Sequence, residues 1–359
     1  MTSTVTPDSP ESPSTSVLEG VPGPLIPGTR HDALIGDGTQ AVMTRYWQYG
    51  KGMNDGTFPE GSYPVLLVHG FRGDHHGLEI IANYLLKLIP NVSIISPDLP
   101  GFGRSADLPE NTLDKNSQGE DNINAYVAWL NDFVKHTNPA RETSHEDAQP
   151  LPLHVVGHSF GSIVTSAFAA AHPNSLALLS LINPISEPAL EGSQRIASRL
   201  ASLYYRAGAA LPEKIGYPLL RSQLITRASS EVMMRTKDKA MRRFINGQHA
   251  AYFGSFGSRR GVLSAYEASI THTAAEYAAA IRVPVQMLVA EDDDLGTPET
   301  ARAMYATLTS RDLPASRDLP VSSSGARERL DMIPEVGHLI HYETPHLAAE
   351  LIADFAADH

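Results

Sequence analysis

The sequence predicts an α/β protein with a mostly parallel, doubly wound sheet and a helical insertion between two of its later strands. Three observations predict it. Short apolar runs bounded by turn residues recur along the chain, and segments with apolar residues at helical spacing lie between them. The stretch 186–282 then breaks this alternation with helical patterns alone.

The strand candidates follow in order. Pro64–Gly70 (PVLLVHG), Val92–Asp98 (VSIISPD), Leu151–Gly157 (LPLHVVG), Leu176–Ile182 (LALLSLI) and Val283–Val289 (VPVQMLV) are apolar on both faces. That pattern belongs to strands covered by helices on either side. Gly77–Leu88 places Leu78, Ile81, Leu85 and Leu88 on one helical face, and within the insertion Ile196, Leu200 and Leu203, then Met234, Met241 and Ile245, do the same. A short last strand is expected over Met332–Val336 and a last helix over Pro345–Ala357. Residues 1–30 are dominated by Pro, Ser, Thr and Gly and predict a disordered tail that docks only near Leu25 and Ile26. The polar stretch 137–150 and the stretch 311–327, with its doubled RDLP, read as surface loops. The expected organisation is a tail over 1–30, a core over 31–185, a helical cap over 186–282 and the rest of the core over 283–359.

Composition excludes several classes of function. Of 359 residues, 42% are hydrophobic and 19% charged, enough apolar material for a large core. The formal net charge of −12 argues against nucleic-acid binding, which calls for a basic excess. There is no cysteine, so disulfides, thiolate catalysis and Cys-based metal sites are excluded. No apolar run approaches the ~18 residues of a membrane span, and the start lacks the pattern of a secretory signal, so a soluble, cytoplasmic protein is expected.

The sharpest chemical signal is Gly157-His158-Ser159-Phe160-Gly161, directly after a predicted strand and directly before the helical segment SIVTSAFAAA. A serine hydroxyl is a weak nucleophile unless it is exposed on a sharp turn with a base beside it and donors ready for an oxyanion. Glycines on both sides permit that turn and a close strand–helix approach.

With this motif stand His69-Gly70-Phe71, the run Pro97-Asp98-Leu99-Pro100-Gly101-Phe102-Gly103-Arg104-Ser105, the acids Glu291 to Asp294, and Gly337-His338. In this order, and from about residue 35 onward, the chain resembles the α/β-hydrolase superfamily, whose fold presents nucleophile, acid and base in the sequence Ser, Asp, His. The resemblance implies Ser159 as nucleophile and His338 as general base; imidazole suits that task because it titrates near neutrality. For the acid, Ala290 stands where the family has a glycine, which selects Asp293 and leaves Asp292 as the alternative. Another position the family uses for the acid holds Asn183, which is no carboxylate. The backbone N–H groups of Phe71 and Phe160 are the implied oxyanion donors, Gly73 and Arg72 shape the loop, and Asp98 is a turn residue.

The resemblance implies a serine hydrolase of small-molecule esters or related acyl compounds, working through an acyl-enzyme with no metal or organic cofactor. Serine in the nucleophile position departs from the haloalkane dehalogenase and epoxide hydrolase branches, which carry aspartate there. A carbon–carbon bond hydrolase, a proline-iminopeptidase-like amidase, and a ligand receptor on the same fold are the alternatives. Tyr204, Tyr205, Met233, Met234, Tyr252, Phe253 and Phe256 are candidates to line the pocket beneath the cap. The insertion holds fourteen Lys and Arg against seven Asp and Glu, which fits a basic roof that steers anionic substrates.

Overall fold

One eight-stranded sheet organises the protein: β1 (Thr29–Ile35), β2 (Val42–Tyr49), β3 (Tyr63–Val68), β4 (Val92–Pro97), β5 (His154–His158), β6 (Leu178–Ile182), β7 (Val285–Ala290) and β8 (Arg329–Ile333). Their spatial order is β1-β2-β4-β3-β5-β6-β7-β8. The computed structural model describes residues 25–50, 55–110, 120–139, 151–188, 195–293, 295–311 and 327–359. The expected tail up to residue 24, most of the two polar stretches with the RDLP pair, and Asp294 lie outside the described residues.

Strands β4, β3, β5, β6, β7 and β8 pair in parallel, while β1 and β2 form an antiparallel hairpin added at one edge. The chain leaves β3 for β4 on one side and then returns to place β5 on the other. Such a reversal opens a crevice at the carboxyl ends of the two strands, where ligands of open α/β sheets bind. The strands are buried on both faces because successive side chains point to opposite sides. Leu66, Val68, Val155 and Leu181 enter one core with helices α2 (Glu120–Thr137) and α3 (Phe160–Ala171); helix α1 (His76–Leu88) occupies the opposite face. Val65, Leu67, Val156 and Ile182 enter that second core with α1 and the C-terminal helix.

Five helices lie between β6 and β7: α4 (Arg195–Ala210), α5 (Glu213–Leu220), α6 (Gln223–Met233), α7 (Lys239–Tyr252) and α8 (Arg259–Thr271). A 3-10 helix at Ala274–Ala280 follows and packs on α3 and on α9 (Pro298–Thr309). The inserted helices therefore end at Thr271, short of the expected boundary at 282. The short α10 (Ile340–Glu343) and α11 (Pro345–Asp358) complete the chain.

Two other expectations shift. The last strand is Arg329–Ile333, a few residues earlier than Met332–Val336, because the strand ends just before Pro334. The core begins before residue 31, with β1 starting at Thr29, whereas docking occurs where it was expected: Leu25 packs against the second core and the N–H of Ile26 donates to Asn83 Oδ1 on α1.

A polar chain runs across five strands of the sheet. Tyr63 Oη lies 3.1 Å from His154 Nδ1, His154 Nε2 lies 2.8 Å from Ser180 Oγ, Ser180 donates to Gln286 Oε1 at 2.9 Å, and Gln286 Nε2 donates to Asp331 at 2.8 Å. Because the Ser180 hydroxyl proton goes to Gln286, His154 donates from Nε2 and accepts from Tyr63 at Nδ1. This arrangement needs a neutral imidazole, and burial pushes His154 down to about 3. Burial likewise pushes His158 to about 3 and His249 to about 4.

These groups ordinarily titrate near 6.5, so below that pH the unfolded chain binds protons that the folded protein refuses. Their contribution to stability is complete above pH 6.5 and is lost as pH falls towards 4. Calorimetric melting between pH 7.5 and 4 should show Tm falling ever more steeply below about 6.5; a Tm flat down to pH 4 would contradict this account.

Candidate active site

Ser159 follows β5 and precedes the first residue of α3, at φ 53° and ψ −119°. Its N–H donates to the Ile182 carbonyl at 3.1 Å, and Ser162 Oγ donates back to the Ser159 carbonyl. The flanking glycines are required by contact rather than by φ. A Cβ on Gly157 would lie 2.2 Å from Thr165 Oγ1, and one on Gly161 would lie 2.4 Å from the Val68 carbonyl. The turn is thereby pressed against the end of β3, beside Gly70.

Three of the expected side chains meet here. His338 Nε2 lies 2.8 Å from Ser159 Oγ, and His338 Nδ1 lies 2.9 and 3.0 Å from the two carboxylate oxygens of Asp293. The His338 and Asp293 side chains are only 3% and 4% exposed, so water does not compete for this pair. Asp293 is further fixed by the Leu295 N–H at 2.8 Å. Asp292, the alternative acid, is exposed; its backbone N–H continues the pairing beyond β7 by donating to the Val336 carbonyl at 3.1 Å. The two acids are separated in the turn that follows β7: Asp292 is exposed, whereas the Asp293 carboxylate is directed at His338.

Phe160 is the first residue of α3, so its N–H is one of the helix-terminal donors without an intrahelical acceptor. Phe71 occupies the second position of a turn closed by the Gly73 N–H on the Gly70 carbonyl at 3.1 Å, which leaves the Phe71 N–H outside the turn's own hydrogen bond. The two expected donors thus belong to adjoining turns, one on each side of the β3–β5 crevice.

The other sequence motifs are structural supports. His69 Nε2 accepts from the Leu99 N–H at 2.9 Å, so His69 donates from Nδ1 to the Gly70 carbonyl at 2.8 Å. Asp98 accepts from the His75 N–H and Nδ1 and from the Arg104 N–H, which makes it the turn residue that was expected. Asn183 was passed over in the sequence because it is no acid, yet its amide joins the segments that carry Asp293 and His338. Its Oδ1 accepts from Ala290 N–H at 2.8 Å, at the end of the strand leading to Asp293, and its Nδ2 donates to the Gly337 and His338 carbonyls at 3.2 and 3.0 Å. A carboxylate could not make the second set of bonds.

A cavity of about 130 Å³ opens on Ser159 and His338. Met233, Tyr252 and Phe253 line it as expected, together with Leu78, His249, Leu295, Leu339 and Tyr342, which were not among the expected lining residues. Tyr205, Phe256 and Met234 are instead buried in the two cores, and Tyr204 packs against the first. Among the described residues no lysine or arginine lines the cavity, so the basic excess of the insertion does not reach it. The three histidines beside the site, His158, His249 and His341, are all pushed down by burial and stay uncharged at neutral pH. Asp74, His75 and His76 bring ligand atoms within 4.8 Å of one another and could gather a cation, although His75 Nδ1 and His76 Nδ1 already face Asp98 and Asp74.

A model of the alpha/beta hydrolase family matches residues 65–351. A lipase, LipV of Mycobacterium tuberculosis, is 35% identical over 136 residues, covering 38% of this chain and 42% of that protein, so the chain matches less than half the length of this relative. Among solved structures, a thermophilic esterase from Thermogutta terrifontis superposes with a TM-score of 0.61 at 20% identity, covering 92% of this chain and 98% of that one. A carboxylesterase of the thaumarchaeon Nitrososphaera gargenis gives a TM-score of 0.62 at 17% identity over 90% of this chain and 98% of its own. At these identities the superpositions establish the fold. The family match spans well over half of the sequence and contains both Ser159 and His338: the chain belongs to the alpha/beta hydrolase family.

Proposed function

We propose that the protein is a serine hydrolase that cleaves carboxylic esters through an acyl-enzyme. The observation that carries this reading is the buried line from Asp293 through His338 to Ser159 Oγ, with contacts of 2.9 and 2.8 Å, in the wall of a cavity that apolar and aromatic side chains share with histidines and Asp74. The lipase and esterases among the similar proteins support it.

In this reading Ser159 Oγ attacks the ester carbonyl carbon while His338 Nε2 takes the hydroxyl proton. Asp293 holds the Nδ1–H and favours the imidazolium that forms. The carbonyl oxygen, now an anion, accepts from the N–H groups of Phe71 and Phe160, a kind of interaction in which each donor contributes on the order of 10²–10³ in turnover. The His338 proton passes to the leaving alcohol oxygen, the C–O bond breaks, and water repeats the sequence to release the acid and restore Ser159. The neutral His158, His249 and His341 add no positive charge beside the imidazolium. A wall that holds the Asp74 carboxylate and no lysine or arginine suits an uncharged acyl group better than the anionic substrates that the basic insertion had suggested.

The test is hydrolysis of p-nitrophenyl esters from acetate to laurate, with an anilide as amide control. Ester turnover should exceed anilide turnover, and Ser159→Ala should reduce it by about 10³-fold or more while abolishing fluorophosphonate labelling. Undiminished labelling in that variant would contradict the nucleophile assignment.

The acid is tested separately. Asp293→Asn presents an amide to Nδ1 and favours the wrong tautomer, a change that costs about 10⁴-fold in a comparable triad. Asp292→Asn, on an exposed side chain, should cost less than about tenfold. A kcat comparison of the two variants on one ester at pH 7.5 decides between them; a crippled Asp292→Asn beside a mild Asp293→Asn would overturn the assignment.

A further inference from the structure

Arg72 stands at a position where its backbone and its surroundings are both unfavourable to arginine. It is the third residue of the Gly70–Gly73 turn, at φ 63°, the place where such turns prefer glycine. It is only 3% exposed, and among the described residues no carboxylate pairs with its charge. A buried guanidinium is retained only where its donors are well satisfied.

Each of the three guanidinium nitrogens has a partner, and all three partners belong to the insertion. Nη2 donates to the Leu220 carbonyl at 2.8 Å, at the end of α5. Nε donates to the Phe253 carbonyl at 3.1 Å, just past the end of α7, and Nη1 lies 3.2 Å from the Tyr205 hydroxyl on α4. Two of these acceptors are carbonyls at helix C-termini, where the helix dipole is negative, so helix ends take the place of a counter-ion. The rings of Phe253 and Phe256 lie 5.2 and 5.4 Å from the guanidinium carbon and add cation–π attraction. Next to it in the same turn, the Phe71 ring packs against Tyr205 and Tyr266 of the insertion.

We infer that Arg72 is a positioning residue: by tying α4, α5 and α7 to the Gly70–Gly73 turn, it makes the placement of the Phe71 N–H depend on the inserted helices being seated. The inference rests on the reading of Ser159 as nucleophile and Phe71 as oxyanion donor. The tie acts on the transition state more than on substrate binding, because the oxyanion exists only after attack.

Arg72→Gly separates this role from a merely structural one, since glycine removes the guanidinium while suiting the backbone conformation better. On the best p-nitrophenyl ester, kcat should fall by about 10–100-fold with KM within about threefold, and inhibition by an aryl trifluoromethyl ketone, whose serine adduct carries the oxyanion, should weaken by a similar factor. Arg72→Lys should fall in between, because one ammonium cannot reach all three acceptors in the same geometry. A kcat for Arg72→Gly within twofold of the native value overturns the inference. Should circular dichroism show Arg72→Gly unfolded, Tyr205→Phe carries the test: it removes one acceptor and should lower kcat by about 3–10-fold at constant KM, and an unchanged kcat overturns the inference. The two readings fail separately. Labelling that survives Ser159→Ala removes the nucleophile, whereas normal labelling with normal kcat in Arg72→Gly removes only the coupling.

Discussion

Ser159 occupies a left-handed conformation, φ 53° and ψ −119°, that L-residues rarely adopt and that costs on the order of 1–3 kcal/mol. The surrounding packing holds it there. Gly157 lets Thr165 approach the strand, Gly161 lets the helix start against the Val68 and His69 carbonyls, and the Ile182 carbonyl fixes the serine N–H. No side chain larger than hydrogen fits at either glycine without moving backbone or a buried threonine. The strain has three local consequences. Ser159 Oγ is thrown clear of the helix, the Phe160 N–H is left free at the helix start, and both face the crevice beside the end of β3.

Around that turn lies a layer of residues that touch nothing reactive yet set distances. Asn183 ties the end of β7 to the His338 loop, and Glu343 joins that loop to the insertion by accepting from the N–H groups of Gly337, Arg235 and Thr236. His69 ties the end of β3 to the turn beginning at Asp98. With Arg72, these connections join the inserted helices to both the His338 loop and the turn that carries Phe71. A side chain delivered from a loop gains precision only when such partners lock it, and here the locks are buried amides, carboxylates and imidazoles rather than exposed ion pairs.

The central strands were legible because burial on both faces favours nearly continuous apolar runs, as in VLLV. The β1–β2 hairpin was not, since its pattern mixes Arg30, Asp32 and Arg45 with apolar residues as an edge requires, and it was absorbed into the expected tail and its flank. β8 was displaced by a few residues because RLDMI alternates charged and apolar side chains while the apolar MIPEV next to it is interrupted by Pro334. In the site, a glycine pattern marked Ser159, the family resemblance pointed to His338, and counting from Ala290 preferred Asp293 over Asp292; the Asp293 carboxylate is the one that lies beside His338 Nδ1. Asn183 and Arg72 carried no such signal: their partners lie more than a hundred residues away, and only the fold shows what an amide or a guanidinium at those positions can reach. Of the aromatic and methionine residues of the insertion, those on the faces of α6 and α7 turned towards the crevice line the cavity, whereas Tyr205 and Phe256 fill the core; composition alone could not separate the two faces.

The most direct measurement of this account is a crystal structure of the protein after reaction with an alkyl fluorophosphonate. A single adduct is expected, with phosphorus bonded to Ser159 Oγ, the phosphonyl oxygen within hydrogen-bond distance of the Phe71 and Phe160 N–H groups, and His338 still held by Asp293. Phosphorus on any other residue, or a phosphonyl oxygen turned away from both N–H groups, would contradict it.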